Sequence, residues 1–297
     1  MSTLPEPVAQ RSDGLEARAR ALDLPGWARS VAVVGAGLMG QQIVARMLER
    51  GFAVSAVEPS PEQLERARAR LAGSHPRAEL AWHASLGELE GGDFDGWVLE
   101  AVPERLELKL QVLAEAERRL SPRLIASNTS SLSIGTLQSG LRDPARMLGM
   151  HFFQPIEQTL LIELISGGQT GAEAAGIAEG IALELGLYPL LAVDRPGFAT
   201  SRLALALGLE AIRALEEGVA GVADIDEGML RGYGHRHGPL KMTDIVGLDT
   251  RLNIARFLES ELGERFRPPQ LLVDMVEAGR LGRKAGVGFY DWPDGAA

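Results

Sequence analysis

The chain has 297 residues, 45% hydrophobic and 24% charged, a globular composition with enough apolar material for about two domains. Its formal net charge of −10 excludes the basic face that nucleic acid or an anionic membrane requires of a main partner. Cysteine is absent, which removes disulfides, thiolate nucleophiles and cysteine-ligated metals and leaves the cytoplasm as the default compartment.

Residues 1–29 read as an N-terminal extension, with a helix expected over 14–22. Glu6, Asp13, Glu16 and Asp23 stand among its arginines, and it has no apolar run of the kind a signal peptide needs. The most apolar later stretch, Ile181 to Val193, is interrupted by Glu184 and Pro189 and is too short to span a bilayer.

Val31 to Val34 are apolar and mostly β-branched, the pattern of a buried strand. Gly35-Ala36-Gly37-Leu38-Met39-Gly40 follows as a tight turn, and a helix is expected over Gln41 to Arg50. In such a unit the first glycine permits the turn, the second lets the backbone approach a pyrophosphate, and the third lets helix pack on strand. A second strand, Ala53 to Val57, ends in Glu58, 58 − 35 = 23 residues beyond the first glycine. That spacing suits a carboxylate accepting from the ribose hydroxyls of adenosine, so NAD is favoured over NADP.

An arginine-rich helix over Pro61 to Leu71 is begun by Ser60, and a short strand is expected over Trp82 to Leu86. Gly96 to Pro103 reads as a strand whose end carries Glu100, followed by a helix over Glu104 to Leu120 with Leu106, Leu110, Leu113 and Leu120 as its apolar positions. A strand over Arg123 to Ala126 runs into the polar cluster Ser127-Asn128-Thr129-Ser130-Ser131-Leu132. That cluster fits either a pocket wall or a capped turn.

Next come strand Met147 to Met150, ending in His151, and strand Leu160 to Ile165, with Glu163 inside it. A carboxylate between Ile162 and Leu164 is costly to bury without a partner, and His151, twelve residues earlier, is the candidate. A lone histidine is more often a satisfied core residue. A histidine paired with a buried carboxylate beside a dinucleotide site points instead to acid/base work.

A helix over Gly171 to Leu185 and a strand over Tyr188 to Val193 complete an NAD-binding domain expected over 30–193. The domain over 194–297 reads as all helical, with helices at Ala199 to Glu217, Val222 to Arg231, Asp244 to Leu262 and Pro268 to Glu277. Gly279 to Asp291 reads as a loop packed back on them. His235 and His237 flank Arg236 with no carboxylate cluster at ligand spacing, so no metal is expected.

Taken together these motifs resemble the L-3-hydroxyacyl-CoA dehydrogenase family. The resemblance is carried by Gly35 to Gly40, Glu100-Ala101-Val102-Pro103-Glu104, Ser127 to Leu132, His151-Phe152-Phe153, Ile162-Glu163, Asp194-Arg195-Pro196-Gly197-Phe198, Val246-Gly247-Leu248-Asp249 and Gly282 to Tyr290, in order along the chain. It implies an α/β, Rossmann-like NAD-binding domain followed by an all-helical C-terminal substrate and dimerisation domain, and hence a homodimer. The implied reaction is reversible oxidation of a 3-hydroxyacyl thioester, as in fatty-acid β-oxidation.

Carried over by position, His151 is the general acid/base, Glu163 orients it, and Ser130 and Asn128 contact substrate and nicotinamide. Gly35, Gly37, Leu38, Met39, Gly40, Glu58 and Glu100 are the remaining cofactor residues. Two departures stand out. Ser201 occupies the position where the family usually has a catalytic asparagine, and Gln154-Pro155 replaces Asn-Pro. Serine supplies one hydroxyl in place of an amide's donor and acceptor. Two alternatives therefore stay open: a dehydrogenase of a free hydroxy acid, as for carnitine or gulonate, and a non-catalytic NAD-binding protein. Coenzyme A would need cations, for which Arg66, Arg68, Arg70 and Lys109 are candidates.

Overall fold

A computed structural model describes residues 24–73, 79–89 and 94–293. The helix expected over 14–22 lies outside these. The chain divides into two compact units, one ending at Arg195 and the other beginning at Pro196.

The first unit opens with a single 3-10 turn, Gly26–Arg29. Ala28 in it is fully buried and its carbonyl accepts from Trp97 Nε1 at 2.9 Å, and Leu24 packs on the core. Residues 24–29 thus pack against this unit. The elements that follow are β1 (Ser30–Val34), α1 (Leu38–Glu49), β2 (Ala53–Val57), α2 (Pro61–Leu71), β3 (Leu80–His83), β4 (Trp97–Glu100), α3 (Leu106–Leu120), β5 (Ile125–Ser127), α4 (Ile134–Gln138), β6 (Met147–Phe152), α5 (Ile156–Thr159), β7 (Leu161–Ser166), α6 (Ala172–Glu184) and β8 (Tyr188–Val193). Helix α1 begins at Leu38, three residues before the expected start, because Gly37 already has the extended backbone of a cap.

The eight strands form one sheet in the order β3-β2-β1-β4-β5-β6-β7-β8. Strands β1 to β6 pair in parallel, β7 runs antiparallel to β6, and β8 is parallel to β7. Parallel strands covered on both faces must be apolar on both, which is why Val31 to Val34 read as a continuous run. Val31 and Val33 pack on one face with Ile43, Val44 and Met47 of α1 and Ile181 of α6. Ala32 and Val34 pack on the other with Ala116 and Leu120 of α3.

The inward stripe of α3 is Lys109, Leu113, Ala116 and Leu120, whereas Leu106 and Leu110 are only partly covered. A lysine thus holds a core position that leucines were expected to fill.

The second unit comprises α7 (Thr200–Glu216), α8 (Val222–Tyr233), α9 (Pro239–Val246), α10 (Leu248–Leu262) and α11 (Gln270–Glu277). The single helix expected over Asp244 to Leu262 is two. Gly247 has φ of 101°, which ends α9 and lets α10 leave in a new direction, and α9 itself starts at Pro239.

The apolar core joins Leu205, Leu209 and Ile212 of α7 to Leu240 of α9, Leu252 and Leu258 of α10 and Leu272 of α11. Buried Asp244 accepts from the Phe289 and Tyr290 amides and from Trp292 Nε1, each at 2.9 Å, and so holds the C-terminal segment on α9. Buried Asp226 accepts from the Leu240 and Lys241 amides at the start of α9 and from Tyr290 Oη at 2.8 Å.

Candidate active site

The sheet order reverses between β1 and β4, and ligands of open α/β sheets bind at the carboxyl edge beside such a switch point. Gly35 leaves β1 there with φ of 102°, and its amide donates to the Val57 carbonyl at 2.8 Å. A Cβ on Gly35 would lie 2.7 Å from the Ala101 carbonyl, and one on Gly40 would lie 2.0 Å from the Gly35 carbonyl. Both positions admit only glycine. At Gly37 a Cβ would meet nothing nearer than Gln63 Nε2, 3.8 Å away, so glycine there leaves bare backbone open to a close neighbour.

No side chain caps α1, whose first-turn amides at Leu38, Met39 and Gly40 have no intrahelical partners. This is a cradle of donors and positive dipole that fits a pyrophosphate. Glu58, only 6% exposed, is fixed at its side. Its Oε2 accepts from the Ala36 amide at 2.9 Å and Gln63 Nε2 at 2.7 Å, and its Oε1 from the Ser60 amide at 3.0 Å. The anion is thus oriented by the turn itself, and it disfavours a 2′-phosphate at that point.

Glu100 stands elsewhere than expected. It is fully buried, with Oε1 accepting from Lys109 Nζ and the Val102 amide, each at 2.7 Å, and Oε2 accepting from Ser127 Oγ at 2.5 Å. Burial raises its pKa, outweighing Lys109, Ser127 and the Val102 amide. Glu100 therefore braces the ends of β4 and β5 and offers no exposed oxygen.

Lys109, also buried, bridges Glu100 to Glu104 Oε2 at 3.3 Å. It is not a surface cation for coenzyme A phosphates. Arg66 and Arg68 are on the surface but are held by Glu62 and Glu65 of their own helix, and Arg70 is exposed.

Glu104 is the carboxylate that reaches the polar cluster. Its Oε1 accepts from Thr129 Oγ1 at 2.6 Å, from the Ser130 and Ser131 amides at 2.9 and 3.1 Å, and from both serine hydroxyls. Burial pushes its pKa up, but Lys109, Thr129, Ser130 and Ser131 together outweigh that and hold it below the ordinary value. The cluster is therefore both a structured turn and a wall with Ser130 exposed. Asn128 is tied to the next strand, its Oδ1 accepting from the Phe152 amide at 2.9 Å.

His151 and Glu163 are direct cross-strand partners on β6 and β7, with Nδ1 and Oε2 2.8 Å apart. Glu163 is fully buried and His151 is 8% exposed. Because a carboxylate only accepts, Nδ1 carries the proton of this bond in the neutral ring, which leaves Nε2 as the basic nitrogen. Asn128 and His151 thus occupy the carboxyl ends of neighbouring strands β5 and β6, two and three strands from the β1 end that carries the glycine turn. Ser201 belongs to the other unit, half-buried in the first turn of α7.

Residues 30–195 match the NAD binding domain of 3-hydroxyacyl-CoA dehydrogenase, and residues 197–292 match the C-terminal domain of the same enzyme. The chain belongs to the 3-hydroxyacyl-CoA dehydrogenase family. It is 36% identical to a probable 3-hydroxybutyryl-CoA dehydrogenase of Bacillus subtilis strain 168 over 286 residues, 90% of this chain and 98% of that protein. A 3-hydroxybutyryl-CoA dehydrogenase of Mycobacterium tuberculosis strain H37Rv is also 36% identical, over 88% of this chain and 98% of its own length. Among solved structures, the (S)-3-hydroxybutyryl-CoA dehydrogenase of Ralstonia eutropha superposes with a TM-score of 0.83 at 35% identity, covering 89% of this chain and 99% of that one.

As a family member the chain is an NAD-dependent oxidoreductase, with the cofactor on its first unit. Sequence reasoning gave Glu104 no role and took Lys109 for a surface cation. A carboxylate four residues beyond the strand-end Glu100 is placed to reach across to the adjacent strand's loop. Lys109 sits on the inward stripe with Leu113, Ala116 and Leu120 at spacings of four and three. A lysine in such register requires a buried anion, and that signal was available.

Proposed function

We propose that this dehydrogenase oxidises a short-chain L-3-hydroxyacyl-CoA reversibly to the 3-ketoacyl-CoA, with His151 as general acid/base. The observation carrying this reading is the His151–Glu163 pair, 2.8 Å across β6 and β7 at the edge that also bears the glycine turn. The names of the relatives support 3-hydroxybutyryl-CoA as the substrate. NAD supplies the hydride acceptor when bound.

In this reading Gly35, Gly37, Leu38, Met39 and Gly40 hold the pyrophosphate and Glu58 holds the adenosine ribose. His151 Nε2 takes the carbinol proton as C3 becomes a ketone, and Glu163 stabilises the resulting imidazolium. Asn128, fixed by the Phe152 amide, and Ser130, fixed by Glu104, orient nicotinamide and substrate. Ser201 donates one hydrogen bond to the substrate. The domains over 30–193 and 194–297, a homodimer formed through the helical unit, a cytoplasmic setting and a role in β-oxidation belong to the same reading.

Ser201 also favours a second substrate class, free 3-hydroxy acids, because it weakens the contact usually made to the thioester substrate. NADH oxidation with acetoacetyl-CoA, set against free acetoacetate and dehydrocarnitine, decides between them. Turnover confined to the CoA ester supports the proposal. Turnover of the free acids alone replaces it, and tight NADH binding without any turnover removes catalysis altogether.

A further inference from the structure

Arg251 on α10 is a buried cation with no anionic partner among the described residues. It is 6% exposed, and its Nε has no hydrogen-bond partner among the described residues. Burial depresses its pKa to about 10. A guanidinium removed from water costs free energy that an opposite charge ordinarily offsets. The carboxylates of the surrounding helices are already engaged. Asp226 serves the Leu240 and Lys241 amides and Tyr290, Asp244 serves the C-terminal segment, and Asp249 serves Lys284 at 2.6 Å.

Arg251 lines a cavity of about 240 Å³ within the helical unit. Its polar wall is completed by His235, Arg236 and His237, and its apolar wall is made by Ala204, Leu207, Pro239 and Met242. No acidic residue lines it among the described residues. The two kinds of lining are complementary: the cationic and imidazole groups can receive an oxyanion, and the apolar side chains a short hydrocarbon chain. The volume is that of a molecule of a few carbons, below the usual range for drug-sized ligands.

We propose that this cavity binds a small carboxylic acid, with the carboxylate on Arg251 and the hydrocarbon part against Leu207, Pro239 and Met242. The fork of a guanidinium matches a carboxylate bidentately, and His235 and His237 each carry a ring N–H able to add a bond in either protonation state. The proposed site is made wholly of residues from the second unit and is independent of the reading of His151 and Glu163.

The probe is butyrate, with butyramide as its neutral isostere, titrated calorimetrically into the full-length protein and into Arg251→Met and Arg251→Lys. Butyrate binding that falls about tenfold or more both in Arg251→Met and on changing to butyramide, with part retained in Arg251→Lys, is the expected result. Equal binding of butyrate and butyramide, or of butyrate by wild type and Arg251→Met, overturns the proposal. So does no butyrate heat in wild type at millimolar excess. Light scattering on the same samples covers the remaining source of a carboxylate: a mass that halves in Arg251→Met while wild type ignores butyrate assigns the cavity to a side chain of a second copy and overturns the small-molecule site. If Arg251→Met does not fold, Arg251→Lys and the butyramide comparison decide.

Discussion

Glu163 faces His151 directly across the only antiparallel step between described neighbouring strands of the sheet, with its Oε2 2.8 Å from the imidazole Nδ1. Reversal of β7 is what allows this. It sets residue 163 opposite residue 151 in register, so a carboxylate inside an apolar strand meets the one imidazole that can use it. On the mechanism above, His151→Gln lowers kcat by about 10²- to 10⁴-fold while NADH binding, followed by fluorescence, is retained. Near-normal turnover in that variant would remove His151 from the mechanism. Glu163→Gln keeps the shape but not the charge, and should lower kcat because the imidazolium formed at His151 loses its counter-charge.

Gly40 tests the glycine turn. A methyl group there must displace the Gly35 carbonyl, which a Cβ would approach to 2.0 Å. Gly40→Ala should destabilise the protein by about 1–3 kcal/mol in a urea melt, with NADH affinity reduced in the fraction that folds. Gly37→Ala, where the nearest atom is 3.8 Å away, should leave the melt unchanged and weaken NADH alone. Equal stability losses in the two would show that packing, and not access to the cofactor, explains Gly37.

Glu104 predicts an acid dependence. Its pKa is lowered on folding, so its stabilising effect is complete above the ordinary value of 4.5 and is lost as pH falls through the lower folded-state value. Thermal melts of wild type and Glu104→Gln should therefore differ at neutral pH and converge in strong acid. Glu100 has the opposite sign: its folded-state pKa is raised, so what it contributes is present below 4.5 and lost as pH rises through the folded value. Melting curves separated by a constant interval at all pH values would exclude ionised Glu104 as the group that orders Ser130 and Ser131.

Asp244 carries the fold of the second unit. Asp244→Ala leaves two backbone amides and the Trp292 indole without their acceptor and should cost at least about 2 kcal/mol. Hydrogen exchange should show lost protection at Phe289 and Tyr290 before the helices respond. Unchanged protection there would mean that the apolar contacts of Phe289 and Tyr290 hold the segment unaided.

Ser201→Asn addresses the substrate side. Restoring the amide should raise kcat/KM on acetoacetyl-CoA, with a gain of up to a few kcal/mol in transition-state stabilisation. A fall would show a site adapted around serine, and would favour the free-acid substrates.

The strand-turn-helix at Val31 to Glu49, the acidic end of β2 and the pairing of His151 with Glu163 were all readable from residue order, because each depends on local geometry or on the cost of burying one charge. The positions at which helices stop were less so. Gly247 divides an apolar pattern that continues through it, since periodicity records which face is buried and not where the axis bends. Lys109 was read as a surface cation for the same reason that Leu106 and Leu110 were read as core. The two stripes lie on adjacent faces of α3, and only packing against the sheet selects between them.

What the sequence determined by itself is local: a glycine turn that opens a helix, a carboxylate at the end of β2, and an imidazole with a carboxylate for it to pair with. What tertiary structure decided is which polar groups face the cofactor edge and which brace it. Glu100 and Glu104 are four residues apart, and neither spacing nor residue type distinguishes their roles. Glu100 ends inside the sheet, where Lys109 and Ser127 consume its oxygens. Glu104 has passed the strand end and can reach the serine loop of the neighbouring strand. Strand order made that difference, because it placed β5 beside β4, and strand order is fixed by the long-range burial of helices on both faces of the sheet.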